Sequence, residues 1–595
     1  MDNDKQQAST RLAVAIIGSA LIIGASTWVQ YKFFPHPEAQ KKASVISADQ
    51  QQTSAQPQGT EVQKSEAPVI PKPSEPVRRI EITGEKLQGS LNLRGAVLDD
   101  LVSLKYKETL DKDSPHVRFL SAQDSSYPTY VTIGWNQLSE NASTKLPNLE
   151  TVWQSSDNEL KAGGNPILLT WDNGEGVNFK IKISLDKQYM FNIQQEVENN
   201  SNNKITLQSY QTVHRDFLPK NAGSFTEYLG PIGAINAVLK DIGYKDIKKN
   251  SEATGGLAWS DTGSGGWGGI TDKYWLVAAG AQKDQKVTLS YKHQQSLKES
   301  GDYLVSLTSA PSLTDSQTES STKSLVFVGP KDFSLLSAYQ KQYSLDRFDS
   351  AIDFGWFSFL TRPILWVLHW LYGLIGNFGL ALMALTVIVK ILLFPLASKA
   401  AVSAARMKLL APKMAELKKK YSSDPKAMNQ QMMALYREEK VHPAGGCLPI
   451  LIQAPIFFCL YKMLNISLDE RQAPFFGWIK DLSVPDPTNI FNLFGLLPFN
   501  PTVISPFLHV SLWGLALGFT FWMMQKQTMV SMDPAQARIM QFMPLVYVFI
   551  MSDFPAGLLI YYTWNNILTY LQQAYIQRRT VLPVPVKGGV IEGKK

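Results

Sequence analysis

Lys390 stands inside one of the most apolar stretches of the chain, residues 378–397. A lysine near the middle of a bilayer helix is unfavourable by roughly 2.5 to 3.5 kcal/mol on insertion scales, so such a residue faces water or a partner and marks function. The chemistry it offers is that of a point cation in a medium of low dielectric, able to attract a passing carboxylate. Thr386 lies four residues earlier and therefore on the same helical face; one-sided polarity recurs at Gln453 and at Tyr561, Tyr562, Asn565 and Asn566. Polar groups on several spans can converge on a wet cavity within a bundle. Taken singly, each amide or hydroxyl reads more readily as an interhelical hydrogen bond. That bland reading is weaker for Lys390, because Asp553, near an outer edge, is the only acidic residue in the predicted spans.

The elements that position these residues follow from a division in composition. The mean hydropathy of −0.11 averages a polar, strand-like part, about 36–350, with a part rich in Leu, Phe, Met, Trp and Tyr, about 356–577. Residues 12–29 carry no charge and follow Lys5 and Arg11. The length of this run, with Trp28 and Tyr31 as interface anchors, predicts an uncleaved anchor over 1–30; a cleaved signal peptide is the alternative. Residues 31–79 are dominated by Gln, Ser, Ala, Pro and Lys, a composition that cannot bury enough surface to order itself and reads as a tether.

Period-2 segments follow, such as Phe179-Lys-Ile-Lys-Ile-Ser-Leu185, Tyr189-Met-Phe-Asn-Ile193, Lys286-Val-Thr-Leu-Ser-Tyr291 and Ser324-Leu-Val-Phe-Val328, separated by Asn-rich or Gly-rich turns. Strands without helical units between them predict an all-β antiparallel sandwich over 80–345. Residues 354–377, punctuated by Trp356, Trp366, Trp370 and Tyr372, read as an interfacial amphipathic helix, with a tilted buried helix as the alternative. Spans are expected at about 378–397, 447–466, 507–525, 539–554 and 556–576, which with the anchor makes about six transmembrane helices and a bundle over 378–579.

The net charge of +7 matters less than its placement. The connection 398–446 contains Lys399, Arg406, Lys408, Lys413, Lys418, Lys419, Lys420, Lys426, Arg437 and Lys440, whereas 465–506 has only Arg471 and Lys480. Positive-inside bias puts the first in the cytoplasm and the second outside, with a tight outer hairpin at Phe554-Pro-Ala-Gly557. Both termini, including the tail 580–595, are then cytoplasmic, and the β domain is periplasmic in a double-membrane bacterium. Within the basic connection, Met407, Leu410, Met414, Leu417 and Tyr421 alternate steps of three and four, and Met428, Met432 and Leu435 answer them. Asp424 as N-cap and Pro425 at the first helical position start the second arm, so a helical hairpin is predicted, bent at Pro412. Its seam either closes the hairpin on itself or docks a partner.

Several runs carry a resemblance: Lys440-Val-His-Pro-Ala-Gly-Gly-Cys-Leu-Pro-Ile-Leu-Ile-Gln-Ala-Pro-Ile-Phe457, Arg471-Gln-Ala-Pro-Phe475, Ile539-Met-Gln-Phe-Met-Pro544 and Phe554-Pro-Ala-Gly-Leu-Leu-Ile-Tyr-Tyr562. With Gly266-Trp-Gly-Gly-Ile270, Lys273-Tyr-Trp275 and Phe333-Ser-Leu-Leu-Ser-Ala-Tyr339, they resemble the bacterial YidC membrane protein insertases, of the YidC/Oxa/Alb family. The resemblance implies insertion and folding of new inner-membrane proteins through a hydrophilic groove open to cytoplasm and lipid, without nucleotide hydrolysis, alone or beside the Sec translocon. It implies that Lys390, where the family carries arginine, is the groove cation, that Thr386 and Tyr562 line the groove, and that the hairpin receives substrates. The partners implied are nascent membrane proteins, the Sec translocon, the ribosome and the bilayer, with no small-molecule substrate and no nucleic-acid recognition. Residues 489–506 depart from the family pattern in being longer and interrupted by prolines.

The remaining signals point away from catalysis. Cys447 and Cys459 sit in an apolar run and suit neither a disulfide framework nor a metal site. Gly588-Gly-Val-Ile-Glu-Gly-Lys594 has phosphate-loop spacing, but Lys595 replaces the required hydroxyl residue. His116, His214 and His293 are scattered singly. The expectation is a chain without cofactor or enzymatic activity; the competing class is a solute transporter or channel with an anchored periplasmic domain, for which no repeat pair is seen.

Overall fold

The computed structural model describes residues 77–579, except 139–143, 220–221, 223–227, 297–300, 356–357, 422–423, 440–447, 469, 505–507 and 529–533. The anchor expected over 1–30, nearly all of the tether and the tail after 579 lie outside the described residues.

Eighteen strands, from Arg79–Thr83 to Thr318–Pro330, join in one continuous hydrogen-bonded network. Strand Val177–Leu185 alternates buried and half-exposed residues along its whole length, and pairs antiparallel with Met190–Asn199 so that Ile183 meets Ile193. This is the pleat placing every second side chain in the core. Strand Gly230–Ile235, by contrast, is buried at every residue. The second face of the neighbouring strands is covered by a helix at Phe333–Gln342 and a 3-10 turn at Phe348–Ala351: Tyr339 meets Phe327 at 5.9 Å between ring centroids, and Phe348 meets the fully buried Trp267 at 5.1 Å. The glycines beside Trp267 permit this closeness, since a Cβ on Gly269 would lie 2.0 Å from the Val277 carbonyl oxygen. Two features depart from the expected all-β antiparallel pattern. Arg79–Thr83 runs parallel to Glu159–Lys161, and a helix, α1 (Tyr244–Thr254), interrupts the strands.

After α1 come α2 (Phe333–Gln342), α3 (Ser358–Ile375), α4 (Phe378–Leu392), α5 (Phe394–Lys420), α6 (Pro425–Glu438), α7 (Leu448–Ile466), α8 (Leu512–Thr528), α9 (Pro534–Met551) and α10 (Ala556–Arg579). Helix α3 buries Ile364, Leu365, Leu368 and Leu371 and exposes Phe359, Trp366 and Trp370. Its outward face is thus apolar and aromatic, suited to a lipid interface rather than to water.

The single span expected over 378–397 is instead broken at Leu393, where α4 and α5 meet at a bend of 63°. Pro395 explains the break: it lacks an N–H and its ring would strike the carbonyl of Ile391, so the helix restarts with proline in its first turn. Pro412, expected to bend the hairpin arm, lies inside the continuous α5. Among the described residues no single helix is both long and apolar enough to cross a membrane; the bent pair Phe378–Leu392 with Phe394–Ser403 is.

Candidate substrate groove

Helix α10 is the axis of the bundle and packs against α4, α5, α7 and α8. On one of its faces lie Tyr561, Asn565, Thr569 and Gln572, spaced four, four and three residues apart. By helical rise this stripe is about 16 Å long. Each end is tied to a different helix. At one end Gln453 of α7, half-buried, donates from Nε2 to the buried Tyr561 hydroxyl at 3.0 Å. At the other, the Lys390 ammonium of α4, also half-buried, donates to Thr569 Oγ1 at 2.8 Å, and Thr569 in turn donates to the Asn565 carbonyl at 2.6 Å. Between and beyond these ends, Asn565 Oδ1 and Gln572 Nε2 are buried without a hydrogen-bond partner among the described residues. Buried polar atoms of this kind are normally satisfied by water or ligand.

The expected residues divide accordingly. Lys390, Gln453, Tyr561 and Asn565 come together along this stripe. Tyr562 is adjacent but offers mainly its ring, 5.0 Å from that of Phe457. Asn566 faces the other way, donating to Thr520 of α8 at 3.4 Å. Thr386 is buried and donates to the Leu382 carbonyl of its own helix at 2.8 Å, so its hydroxyl is already committed. Thr569 and Gln572 were not among the expected residues; continuing the i, i+4 step from Asn565 would have found the first.

Lys390 differs from Lys462 and Asp553. Lys462 of α7 pairs with Asp353 at 2.5 Å, and Asp553 with His509 at 2.8 Å. Among the described residues Lys390 has a hydroxyl and no carboxylate beside it.

The end of the bundle near Ala556 is closed. Pro485 bridges Pro555, the amides of Ala556 and Gly557 donate to the carbonyls of Val484 and Leu482 at 2.8 and 2.9 Å, and the Phe475 ring lies on Gly379, where a Cβ would meet it at 2.2 Å. Arg471 then joins this loop to the β domain. Its Nη2 donates to the Lys107 and Glu108 carbonyls at 2.6 and 3.2 Å, and its guanidinium lies over Tyr274 and Trp275.

In the basic hairpin, Asp424 accepts from the amides of Lys426 and Ala427, both at 3.0 Å, and caps α6. The arms touch through Tyr436 against Met414 Sδ at 3.9 Å and Lys413 against Glu439 at 2.7 Å. Leu410 is buried, while Met414, Leu417, Tyr421, Met428, Met432 and Leu435 are half-buried; the side chain of Met407 lies outside the described residues. In the β domain His214 is held between Asp302 (2.9 Å) and Thr132 (3.0 Å), with Tyr130 stacked on it.

Residues 370–582 match the family described as 60Kd inner membrane protein, and residues 79–367 match the YidC periplasmic domain. A membrane protein insertase YidC of Granulibacter bethesdensis is 43% identical over 507 residues, covering 85% of this chain and 87% of that protein. The chain belongs to the YidC family. A YidC insertase of Rickettsia africae is 40% identical over 568 residues, 95% of this chain and 98% of its own length, so the likeness includes both the β domain and the helical bundle. A solved active YidC insertase with its first transmembrane domain resolved aligns with 84% of this chain and 93% of that one, at 18% identity and a TM-score of 0.34.

Proposed function

We infer that this protein is a membrane protein insertase and chaperone of the bacterial inner membrane with a periplasmic β domain. What carries the inference is likeness to YidC insertases over 85–95% of the chain. The rival transporter reading has no comparable support. Within that function, the stripe from Tyr561 to Gln572, with Gln453 and Lys390 at its sides, is the groove that receives the client, and Lys390 is its cation. Topology follows the charge distribution: 398–446 cytoplasmic, 465–511 periplasmic, the helices between them spanning, and both termini inside.

A new segment of about 20 apolar residues gains roughly 0.3 to 0.6 kcal/mol per residue at the bilayer centre, about 6 to 12 in all, so insertion needs no nucleotide. The obstacle is kinetic, the passage of the polar tail. Hydrated polar groups part-way through the bilayer shorten the dry path, and Lys390 attracts acidic tails. The client then leaves sideways into lipid. The basic hairpin, with its partly open methionine seam, is the surface on which clients, and with them the ribosome or Sec translocon, are received.

The test is insertion of a small client with an acidic tail into vesicles containing Lys390→Ala, Lys390→Glu or Lys390→Arg protein. Ala and Glu should abolish insertion and Arg should support it; full activity with Glu refutes the charge role. Deleting residues 80–320 should leave insertion largely intact, whereas total loss would move the activity to the β domain.

A further inference from the structure

Residues 487–525 contain no Asp, Glu, Lys or Arg. They begin beyond Asp486, which is itself buried and committed, accepting from Trp478 Nε1 and from the Thr488 and Trp513 amides, each at 3.0 Å. The helical part of the run, α8, packs in the bundle; most apolar side chains of residues 490–504 do not. Ile490, Phe491, Leu493, Phe494, Leu497 and Phe499 are exposed, and Leu496, Val503 and Ile504 are 83%, 83% and 75% exposed. A patch of this kind in water marks an interaction surface.

The backbone identifies the partner. Unlike most exposed loops, this one satisfies much of its own polarity. The Phe494 amide donates to the Asn489 carbonyl (2.8 Å), Leu497 to the Asn492 carbonyl (3.0 Å), and Gly495 and Thr502 to the side chains of Asn492 and Asn500 (3.0 and 3.1 Å). Asn489 Nδ2 and the Ile490 amide bind the Leu508 and Val510 carbonyls, pinning the loop's base to the start of α8. Leu493 and Phe494 adopt φ of 51° and 59°, a left-handed geometry unfavourable for bulky residues, which here turns successive apolar side chains outward. Internal satisfaction of backbone groups together with outward apolar side chains is what lipid requires and water does not. The segment is also continuous with α8, a bundle helix, and has Trp478 and Trp513 at its base, the residue type that settles at membrane interfaces.

We propose that residues 490–504 enter the outer leaflet as a non-helical anchor, their apolar side chains lying about 5–10 Å deep at the headgroup–acyl boundary. This rests on the topology given under Proposed function, which puts 465–511 outside. It extends that reading by giving the insertase a non-helical lipid contact on its outer side.

The experiment uses the full chain with Cys447→Ser and Cys459→Ala, reconstituted alone in vesicles of phosphatidylethanolamine and phosphatidylglycerol. Nitroxide labels are placed at Leu496→Cys, Val503→Cys and, as a control in the same loop, the exposed Lys480→Cys. Collisions with oxygen should exceed those with a water-soluble nickel chelate at 496 and 503, and the order should reverse at 480. Preference for the nickel chelate at 496 and 503 overturns the proposal. So does spin–spin broadening at 496 that disappears on dilution with unlabelled protein, which assigns the patch to a second copy. So does shielding of 496 that appears only after a solubilised inner-membrane protein fraction is added, which assigns it to a protein partner. An impermeant thiol reagent applied to sided vesicles reads the topology separately. Labelling of Lys480→Cys from the cytoplasmic side overturns the outer-leaflet assignment even where 496 favours oxygen.

Discussion

Replacing Arg471 with Ala removes a polar tie between the β domain and the loop that closes the helical bundle. The guanidinium donates to the Lys107 carbonyl at 2.6 Å and to that of Glu108 at 3.2 Å, and lies 5.8 and 5.4 Å from the Tyr274 and Trp275 ring centroids. One well-formed hydrogen bond from a charged donor contributes about 1.5–3 kcal/mol, and each partly exposed cation–π contact about 0.5–1. Against this stands the cost of burial, which pushes the guanidinium pKa below its ordinary value. The neighbouring Gln472 Nε2, 3.0 Å from the Lys107 carbonyl, remains in place. A net loss of about 2–3 kcal/mol is expected, equivalent to roughly 30- to 150-fold more frequent opening of the junction. Hydrogen exchange on the full chain in lipid discs reads this directly. The amides of Glu108, Ala473 and Leu482, bonded to Pro115, Glu470 and Ala473 carbonyls, should lose protection by that factor, while strand Val177–Leu185 keeps its own. Arg471→Lys should fall between, keeping the charge but losing the forked, stackable guanidinium. Unchanged exchange at the junction would refute the tie, and an equal loss throughout the β domain would make Arg471 a residue of the fold rather than of the seat.

Gly269→Ala should destabilise the β domain by about 1–3 kcal/mol or more, because the new methyl meets backbone, the Val277 carbonyl at 2.0 Å, which cannot rotate away; the denaturant midpoint followed by tryptophan fluorescence checks this. Asp99 has a carboxyl pKa raised above 3.8, chiefly by burial and in spite of the adjacent Arg79. Its folded form therefore binds a proton more readily than its unfolded form, so its contribution favours folding in acid and is lost as the pH rises from about 3.8 through the folded value. Between pH 4 and 6 the wild type should lose stability relative to Asp99→Asn with rising pH; the opposite slope would contradict burial as the dominant cause.

Patterns set by local chemistry were readable from the sequence. The alternation of Phe179 to Leu185 gives a strand with every second residue in the core, and Asp424 with Pro425 gives a capped helix start, because neither depends on distant contacts. What was not readable is tertiary. The apolar run through Phe394 reads as one span, yet Pro395 divides it, since hydropathy is insensitive to a missing N–H. Thr386 looks like a groove residue by spacing, but a threonine in a helix can bond its own backbone, and this one does. The importance of Arg471 was visible only as part of a motif, since the carbonyls it holds are 363 and 364 positions away. Thr569 was missed because the polarity of the last turns of α10 resembles that of any helix leaving a membrane.

The placement of charge suggests how the proposed insertase acquires direction. At the end of the bundle near Ala556, Lys462 is paired with Asp353, the His509 ring is hydrogen-bonded to Asp553, and the Arg471 guanidinium is committed to carbonyls. An acidic tail arriving from that side meets a closed loop, whose remaining cation, Lys480, is exposed on the loop rather than on the stripe. Lys390 lies in the last turn of α4, beside the bend into the basic hairpin, with the Thr569 hydroxyl as its hydrogen-bond partner among the described residues. A hydroxyl is a weak competitor for an ammonium, and a carboxylate displaces it because attraction between full charges at about 4 Å reaches roughly 4 kcal/mol at an effective dielectric of 20. On the proposed topology the anion is therefore drawn in from the cytoplasmic side and meets no second cation along the stripe from Thr569 to Tyr561 as it moves outward. A further fixed cation along the stripe would deepen binding but trap the tail, so a single, lightly partnered lysine near the inner end favours passage over retention.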